Sequence, residues 1–175
     1  MNIYFISGLG ADERAFQRIT LPERFVVHHL AWKPPLDDES MNAYARRMAE
    51  DIEKESPFSI VGLSLGGMIA VEMNSFLKPV QTILLSSDFT RNHLPVYVQW
   101  IGRTRLHRVV PPSWLKKLPS LAYWFFGTKT TAEKSLLDQF LRDADEDLLQ
   151  WSINAVLSWE NKALPPNCIR IHGDS

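Results

Sequence analysis

Short runs of apolar residues alternate with longer amphipathic stretches along this chain of 175 residues. Each run has four to six residues rich in β-branched and aromatic side chains, which predicts a buried strand. The predicted strands are residues 3–6, 25–30, 58–61, 80–85 and 168–171. Strands this short, separated by helical lengths of chain, are joined by right-handed crossovers. The pattern therefore predicts an α/β fold with a doubly wound, mostly parallel sheet.

Two helices are predicted between the second and fourth strands. In residues 40–55 the apolar side chains recur at the spacing of one helix face, and Ser40 stands at the N-cap position. Residues 65–77 form the second helix, which ends before Pro79 because the residue preceding a proline disfavours helical backbone.

A long stretch without predicted strands, residues 89–166, interrupts this alternation. It carries helical patterns at residues 132–142 and 146–159. A stretch of this length is too long for a simple loop. We therefore expect a helical cap, residues 89–166, inserted into an α/β core made of residues 1–88 and 167–175.

The charge and cysteine content exclude several classes of function. Nineteen Lys and Arg residues against twenty Asp and Glu residues give a net charge of −1, so nothing attracts the chain to nucleic acid or to an anionic membrane. A single cysteine excludes an internal disulfide and a cysteine-based zinc site.

The N-terminal apolar run is too short for a secretory signal, and no segment reaches the ~20 apolar residues of a spanning helix. We expect a cytoplasmic protein.

The strongest functional pattern is Gly62-Leu63-Ser64-Leu65-Gly66, followed by Gly67, between a predicted strand and a predicted helix. A strand that turns sharply into a helix pushes the side chain at the turn out of the backbone, and the flanking glycines remove side chains that would collide. The helix start also directs N–H groups toward a developing oxyanion. An incidental serine in a tight turn is the alternative, but the strand and helix on either side favour Ser64 as a catalytic nucleophile.

A second glycine-rich loop, Ser7-Gly8-Leu9-Gly10, follows the first predicted strand and can present the N–H of Leu9 to the same site. A dinucleotide-binding loop is the alternative. That loop needs a glycine where Glu13 stands and an acidic residue at the end of the second strand, where the chain has Leu30-Ala31-Trp32. No Lys-Ser or Lys-Thr pair follows a glycine loop, which also excludes a P-loop.

With these motifs the chain resembles the α/β-hydrolase superfamily, in particular small bacterial members that begin at the strand bearing the oxyanion loop. The resemblance extends over essentially the whole chain, as far as Ile171-His172-Gly173 near its end. It implies that the amides of Leu9 and Leu65 form the oxyanion hole. Many members have a histidine where this chain has Ser7, a departure that concerns how the loop is anchored.

The expected strand order brings the two motifs together. If the first strand pairs with both the second and the third, the order is 2-1-3-4-5 and the switch point lies between strands one and three. The loops after those two strands hold Leu9 and Ser64, so both motifs meet at one crevice.

A serine nucleophile needs a general base that a carboxylate orients. The resemblance implies the chain order serine, acid, histidine, and the sequence His172-Gly173-Asp174-Ser175 stops one position before the usual aspartate. Asp174, and Asp88 after the fourth strand, are the candidate acids, although a turn residue and a residue at the start of the cap are their simpler interpretations. The resemblance therefore implies that the acid, the base, the last strand and the last helix lie beyond residue 175, and that residues 1–175 alone turn over substrate poorly.

The histidines within the chain suit the base role poorly. We expect the first two to pack in or near an edge strand, the next two to lie on the surface of the cap, and the last to support the loop that follows the fifth strand. They are His28, His29, His93, His107 and His172.

Aromatic residues of the predicted cap are available to roof an apolar pocket over Ser64, although packing of the cap on the sheet is the simpler role for each. They are Tyr97, Trp100, Trp114, Tyr123, Trp124, Phe125, Phe126, Trp151 and Trp159. The resemblance implies hydrolysis of a small-molecule carboxylic ester or thioester through an acyl-enzyme on Ser64, with no metal and no organic cofactor. The alternatives are a non-catalytic binding protein of the same fold, or a carbon–carbon bond hydrolase or perhydrolase.

Overall fold

A computed structural model describes residues 1–87, 130–161 and 165–172 of the chain. Five parallel strands in these residues form one sheet in the order β2-β1-β3-β4-β5. They are β1 (Asn2–Ile6), β2 (Val26–Leu30), β3 (Phe58–Leu63), β4 (Gln81–Leu85) and β5 (Cys168–Ile171). The predicted α/β class and the predicted strand order are confirmed.

Four α-helices lie within the described residues. They are α1 (Met41–Met48), α2 (Leu65–Met73), α3 (Thr131–Asp143) and α4 (Glu146–Ser158). Short 3₁₀ helices occupy Glu13–Phe16 and Ala49–Asp51. No helix among the described residues has the length and apolar character needed to cross a bilayer.

The first two helices are shorter than the sequence pattern predicts. Ser40 caps α1 as expected, its hydroxyl accepting from the N–H of Ala43 at 3.2 Å. After Met48 the backbone tightens into the 3₁₀ turn and is extended at Ile52, which is still buried at 3% exposure. The apolar spacing therefore predicted burial correctly, while the backbone left the helix. Beyond α2 the side chain of Asn74 donates to the carbonyl oxygen of Ala70, which helps to end that helix.

The two faces of the sheet carry cores of different size, because successive strand residues point to opposite faces. Tyr4 and Ile6 belong to the larger core, which the sheet shares with α1, α2 and α4. The smaller core on the other face consists of Ile3, Phe5, Phe16 and Val61, and is partly enclosed by the 3₁₀ helix Glu13–Phe16.

Trp151 of α4 and Trp159, the residue that follows this helix, pack into the larger core. The ring of Trp151 stacks on Tyr44 with 4.0 Å between centroids, and its indole N–H donates to the carbonyl oxygen of Glu39 at 2.8 Å. The indole N–H of Trp159 donates to the carboxylate of Glu72 on α2 at 2.8 Å. Packing was the simpler role predicted for both, and it is the role observed. The other predicted roof residues, and the predicted cap boundary at residue 89, lie outside the described residues.

Candidate active site

Ser64 lies at the turn between β3 and α2. Its backbone has φ 51° and ψ −116°, and a positive φ is uncommon for a residue that carries a side chain. A conformation of this kind stores about 1–3 kcal/mol of strain and persists only where its surroundings hold it. The Ser64 N–H donates to the carbonyl oxygen of Leu85 at 2.9 Å. Its carbonyl oxygen accepts from the N–H of Gly67 at 2.9 Å and of Met68 at 3.3 Å.

Two glycines allow the strand and the helix to meet at this turn. A Cβ atom on Gly62 would overlap main-chain atoms of Gly66. A Cβ atom on Gly66 would overlap the carbonyl oxygens of Ile6 and Ser7 at the end of β1. Main-chain atoms cannot rotate out of the way, so only glycine fits at either position. Gly66 therefore brings the start of α2 against the chain that leaves β1.

Ser87, two residues after the end of β4, stabilises the turn at Ser64 through a hydrogen bond. Its hydroxyl donates to the carbonyl oxygen of Ser64 at 2.6 Å and is buried at 5% exposure. A Cβ atom on Gly67 would overlap that hydroxyl, so the third glycine of the motif makes room for it. The Nε2 atom of His172 lies 3.1 Å from the carbonyl oxygen of Ser87, which connects the end of β5 to the same turn.

The Ser64 hydroxyl has no side-chain partner among the described residues. The residue is half-buried, and no side chain within residues 1–87, 130–161 and 165–172 forms a hydrogen bond with its Oγ. The turn therefore places at the carboxyl edge of the sheet a hydroxyl that no described side chain engages.

The loop after β1 lies directly against Ser64. A Cβ atom on Gly8 would lie 3.4 Å from the Cβ of Ser64, so the Gly8 backbone is next to the serine side chain. Leu9 is half-buried, and Leu65, the first residue of α2, is 2% exposed. Among the described main-chain hydrogen bonds, none uses the N–H of Leu9 or of Leu65 as a donor. The amide of Leu65 directly follows Ser64 in the chain, and the amide of Leu9 directly follows Gly8.

Side-chain hydrogen bonds anchor this loop. The hydroxyl of Ser7, at 4% exposure, donates to the carbonyl oxygen of Ala11 at 2.7 Å. The indole N–H of Trp32 donates to the Ser7 hydroxyl at 2.8 Å and approaches the Ala11 carbonyl at 3.1 Å. Ser7 and Trp32 thus close the loop that carries Leu9.

The outer part of the same loop contacts α3 through Arg14. The guanidinium of Arg14 binds the carboxylate of Asp12 at 2.9 Å and that of Asp143 at 2.8 Å, and it lies 5.1 Å from the ring centre of Phe140. The hydrogen bond from Arg14 holds the pKa of Asp12 below its ordinary value. A groove of about 220 Å³ borders this contact, between the loop, Trp32 and the turn that joins α3 to α4.

The remaining candidate residues fall into two groups. Asp88, Asp174, His93 and His107 lie outside the described residues. The ring of His28 stacks on Tyr4 at 4.8 Å, and the ring of His29 lies 5.6 Å from that of Phe5, so both histidines of β2 pack on the neighbouring strand as expected.

Sequence reasoning did not identify Ser87 and Trp32 as parts of this site. From the sequence alone Ser87 has no assigned role, and Trp32 is noted only where a dinucleotide-binding fold would have an acidic residue. The sequence signal for both is faint: each is a hydrogen-bonding side chain within two residues of the carboxyl end of a strand that neighbours the site.

The parallel sheet in the order 2-1-3-4-5, with a serine held at positive φ between β3 and a helix, defines an α/β-hydrolase fold. Solved structures support this classification. The RedJ thioesterase of the prodiginine biosynthetic pathway in Streptomyces coelicolor is similar over 98% of this chain and 69% of its own, with a TM-score of 0.58 and 16% identity. A thermophilic esterase from Thermogutta terrifontis is similar over 98% of this chain and 70% of its own, with a TM-score of 0.61 and 15% identity.

A hydrolase from Oleispira antarctica is similar over 91% of this chain and 66% of its own, with a TM-score of 0.63 and 15% identity. At these identities the likeness concerns the fold. No protein-family profile matches the chain, and no curated protein matches it in sequence.

Proposed function

We propose that this chain hydrolyses carboxylic esters or thioesters through an acyl-enzyme on Ser64. The observation that carries the proposal is the strained backbone of Ser64, φ 51° and ψ −116°, together with a hydroxyl that no described side chain engages. Strained backbone of this kind clusters at active sites, and here it would direct a nucleophile out of the sheet. The thioesterase and esterase activities of structurally similar proteins agree with this substrate class.

The proposed reaction has two steps. The Ser64 oxygen attacks the carbonyl carbon while its proton passes to a general base, and the carbonyl oxygen becomes an oxyanion. The N–H groups of Leu9 and Leu65 stabilise that oxyanion, because they are the amides next to the turn and have no acceptor in the described backbone. The alcohol or thiol then leaves with the proton, and water releases the acid from Ser64 by the same route.

The base and its carboxylate are the part of the proposal that rests on the sequence alone. Among the described residues, His28 and His29 are engaged in strand packing, and His172 approaches Ser87 rather than the serine hydroxyl. We therefore propose that the triad acid and histidine come from outside the described residues, where the candidates Asp88 and Asp174 also lie.

The test is covalent labelling with an alkyl fluorophosphonate, followed by peptide mapping, together with hydrolysis of a panel of acyl esters and acyl thioesters. We expect one label on Ser64, and Ser64→Ala should lower labelling by about a thousandfold or more. Ser158→Ala is the matched control, because Ser158 is an exposed serine at the end of α4 and should leave labelling unchanged.

Each outcome bears on a different part of the proposal. Labelling that persists in Ser64→Ala refutes the nucleophile assignment, and a wild-type chain that is neither labelled nor active on any ester favours a non-catalytic binding protein. Slow labelling of this chain would mean that none of its histidines acts as an efficient base for Ser64. Fast and stoichiometric labelling of this chain would show that the base lies within it.

A further inference from the structure

The loop after β1 is closed as a tight turn. The N–H of Ala11 donates to the carbonyl oxygen of Gly8 at 3.0 Å, which leaves Leu9 and Gly10 in the two central positions. Gly10 has φ 69°, as the third residue of a type II turn requires. The carbonyl oxygen of Gly8 points into the turn to accept this bond, so the N–H of Leu9, opposite it in the same trans peptide unit, points out of the turn. The direction of that amide depends on how the whole turn is held.

The side chain of Trp32, which lies outside this loop, helps to hold the turn. Trp32 follows the end of β2, and its indole N–H reaches both the Ser7 hydroxyl at 2.8 Å and the Ala11 carbonyl at 3.1 Å. Ser7 and Ala11 are the two ends of the loop, and the Ser7 hydroxyl also joins them directly. A single N–H group therefore links both ends of the turn to the segment after β2.

Trp32 is itself held in place by buried neighbours. Its ring lies 5.9 Å from that of Tyr44, a fully buried residue of α1. The Tyr44 hydroxyl donates to the carbonyl oxygen of Lys33 at 2.7 Å and accepts from the Lys33 N–H at 2.8 Å. Burial raises the pKa of Tyr44 to about 12, so the hydroxyl stays protonated and keeps its donor role near neutral pH. The backbone beside Trp32 is thus fixed to the core.

We infer that Trp32 is a positioning residue for the reaction, because its indole N–H fixes the turn that directs the Leu9 amide toward Ser64. This inference rests on the proposed function, in which that amide stabilises the oxyanion. An amide that acts on the oxyanion contributes in the transition state and little to substrate binding. Loss of the indole N–H should therefore slow the chemical step and leave the affinity for the reagent nearly unchanged.

The experiment compares Trp32→Phe with Trp159→Phe in the full chain. Both substitutions keep an aromatic ring and remove one indole N–H that donates at 2.8 Å, but the Trp159 donor contacts Glu72 of α2, away from the turn. The measured quantities are the inactivation rate constant and the dissociation constant for an alkyl fluorophosphonate. For Trp32→Phe we expect a rate constant reduced by about 10-fold to 100-fold and a dissociation constant within about twofold of wild type. Trp159→Phe should change neither by more than about twofold.

A second measurement does not depend on reactivity. Amide hydrogen exchange at Ala11, whose N–H closes the turn, should be faster in Trp32→Phe than in wild type and unchanged in Trp159→Phe. Equal inactivation rate constants in Trp32→Phe and wild type, or unchanged exchange at Ala11, would overturn the inference. If the wild-type chain shows no reaction that depends on Ser64, the proposed function fails by itself, and the exchange measurement still decides whether Trp32 holds the turn.

Discussion

The two glycine-rich loops at the carboxyl edge of the sheet are held in place by different means. The turn at Ser64 is shaped by main-chain contacts, since Gly62 and Gly66 have backbone atoms where a Cβ would lie. The loop after β1 is closed largely by side chains, because the Ser7 hydroxyl and the Trp32 indole N–H join its two ends. A loop fixed by backbone contacts tolerates the loss of a side-chain hydrogen bond better than a loop that side chains close. The two loops should therefore respond to substitution in opposite ways.

The largest effect is expected where the two loops meet, at Gly66. In Gly66→Ala the added methyl overlaps the carbonyl oxygens of Ile6 and Ser7, which belong to the backbone of the neighbouring strand and loop. We expect the free energy of unfolding to fall by about 3 kcal/mol. Urea denaturation measures it, with the transition midpoint lowered and the slope unchanged.

Gly8→Ala is the matched control for this substitution. A Cβ at Gly8 makes only an ordinary contact with Ser64, at 3.4 Å, so the loss should be about 1 kcal/mol or less. If Gly66→Ala were as stable as Gly8→Ala, main-chain contacts would not be what holds the turn.

A smaller effect is expected from the side-chain hydrogen bond at the Ser64 turn. Ser87→Ala removes the donor to the Ser64 carbonyl oxygen, which still accepts from the N–H groups of Gly67 and Met68. We expect a loss of about 1 kcal/mol in the free energy of unfolding, and a change of less than about threefold in the fluorophosphonate inactivation rate constant. A larger loss of rate in Ser87→Ala than in Trp32→Phe would reverse the comparison between the two loops.

The smallest effect is expected at the outer end of the loop after β1. Arg14→Gln breaks exposed ion pairs with Asp12 and Asp143, so the melting temperature should fall slightly at low salt. At about 1 M salt, where screening reaches about 3 Å, the difference should disappear. Arg18→Gln is the control, since Arg18 is exposed and has no ion pair among the described residues.

The difference in stability between wild type and Arg14→Gln should also depend on pH. Arg14 lowers the pKa of Asp12 in the folded state, so the interaction between the two side chains contributes to stability while Asp12 is ionised. That contribution is fully present above the ordinary aspartate pKa of 3.8. It is lost as the pH falls through the lower pKa that Asp12 has in the folded state. Wild type and Arg14→Gln should therefore melt at different temperatures at neutral pH and converge in acid. A difference that persists below that window would mean that Arg14 acts through its contact with Phe140 instead.

The fold was largely readable from the sequence because its signals are local. Each predicted strand is a short apolar run, and the observed bounds differ from the predicted ones by no more than two residues. The predicted order 2-1-3-4-5 assumed that the first strand pairs with both the second and the third, and the structure confirms it. The ends of α1 and α2 were less predictable, since the apolar spacing continues through Ile52 while the backbone leaves the helix at Met48.

The residues of the candidate site also differ in how far the local sequence predicts them. The position of Ser64 between a strand and a helix was evident because the glycines that permit its backbone lie within three residues of it. Ser87 and Trp32 were not, because their partners are 23 and 25 residues away along the chain. Nothing in the local sequence indicates which hydroxyl or indole N–H will be carried to a particular carbonyl oxygen.

The sequence by itself determined the parallel sheet, the sharp turn and the residue at its apex, since backbone geometry depends on side chains that are neighbours in the chain. Only the tertiary structure decided what holds the companion loop in place. The order of the strands sets β2 beside β1, and this adjacency brings an indole N–H to a loop that has no histidine of its own. Contacts between distant segments form only when the sheet assembles, so their partners are chosen by the fold and not by sequence proximity.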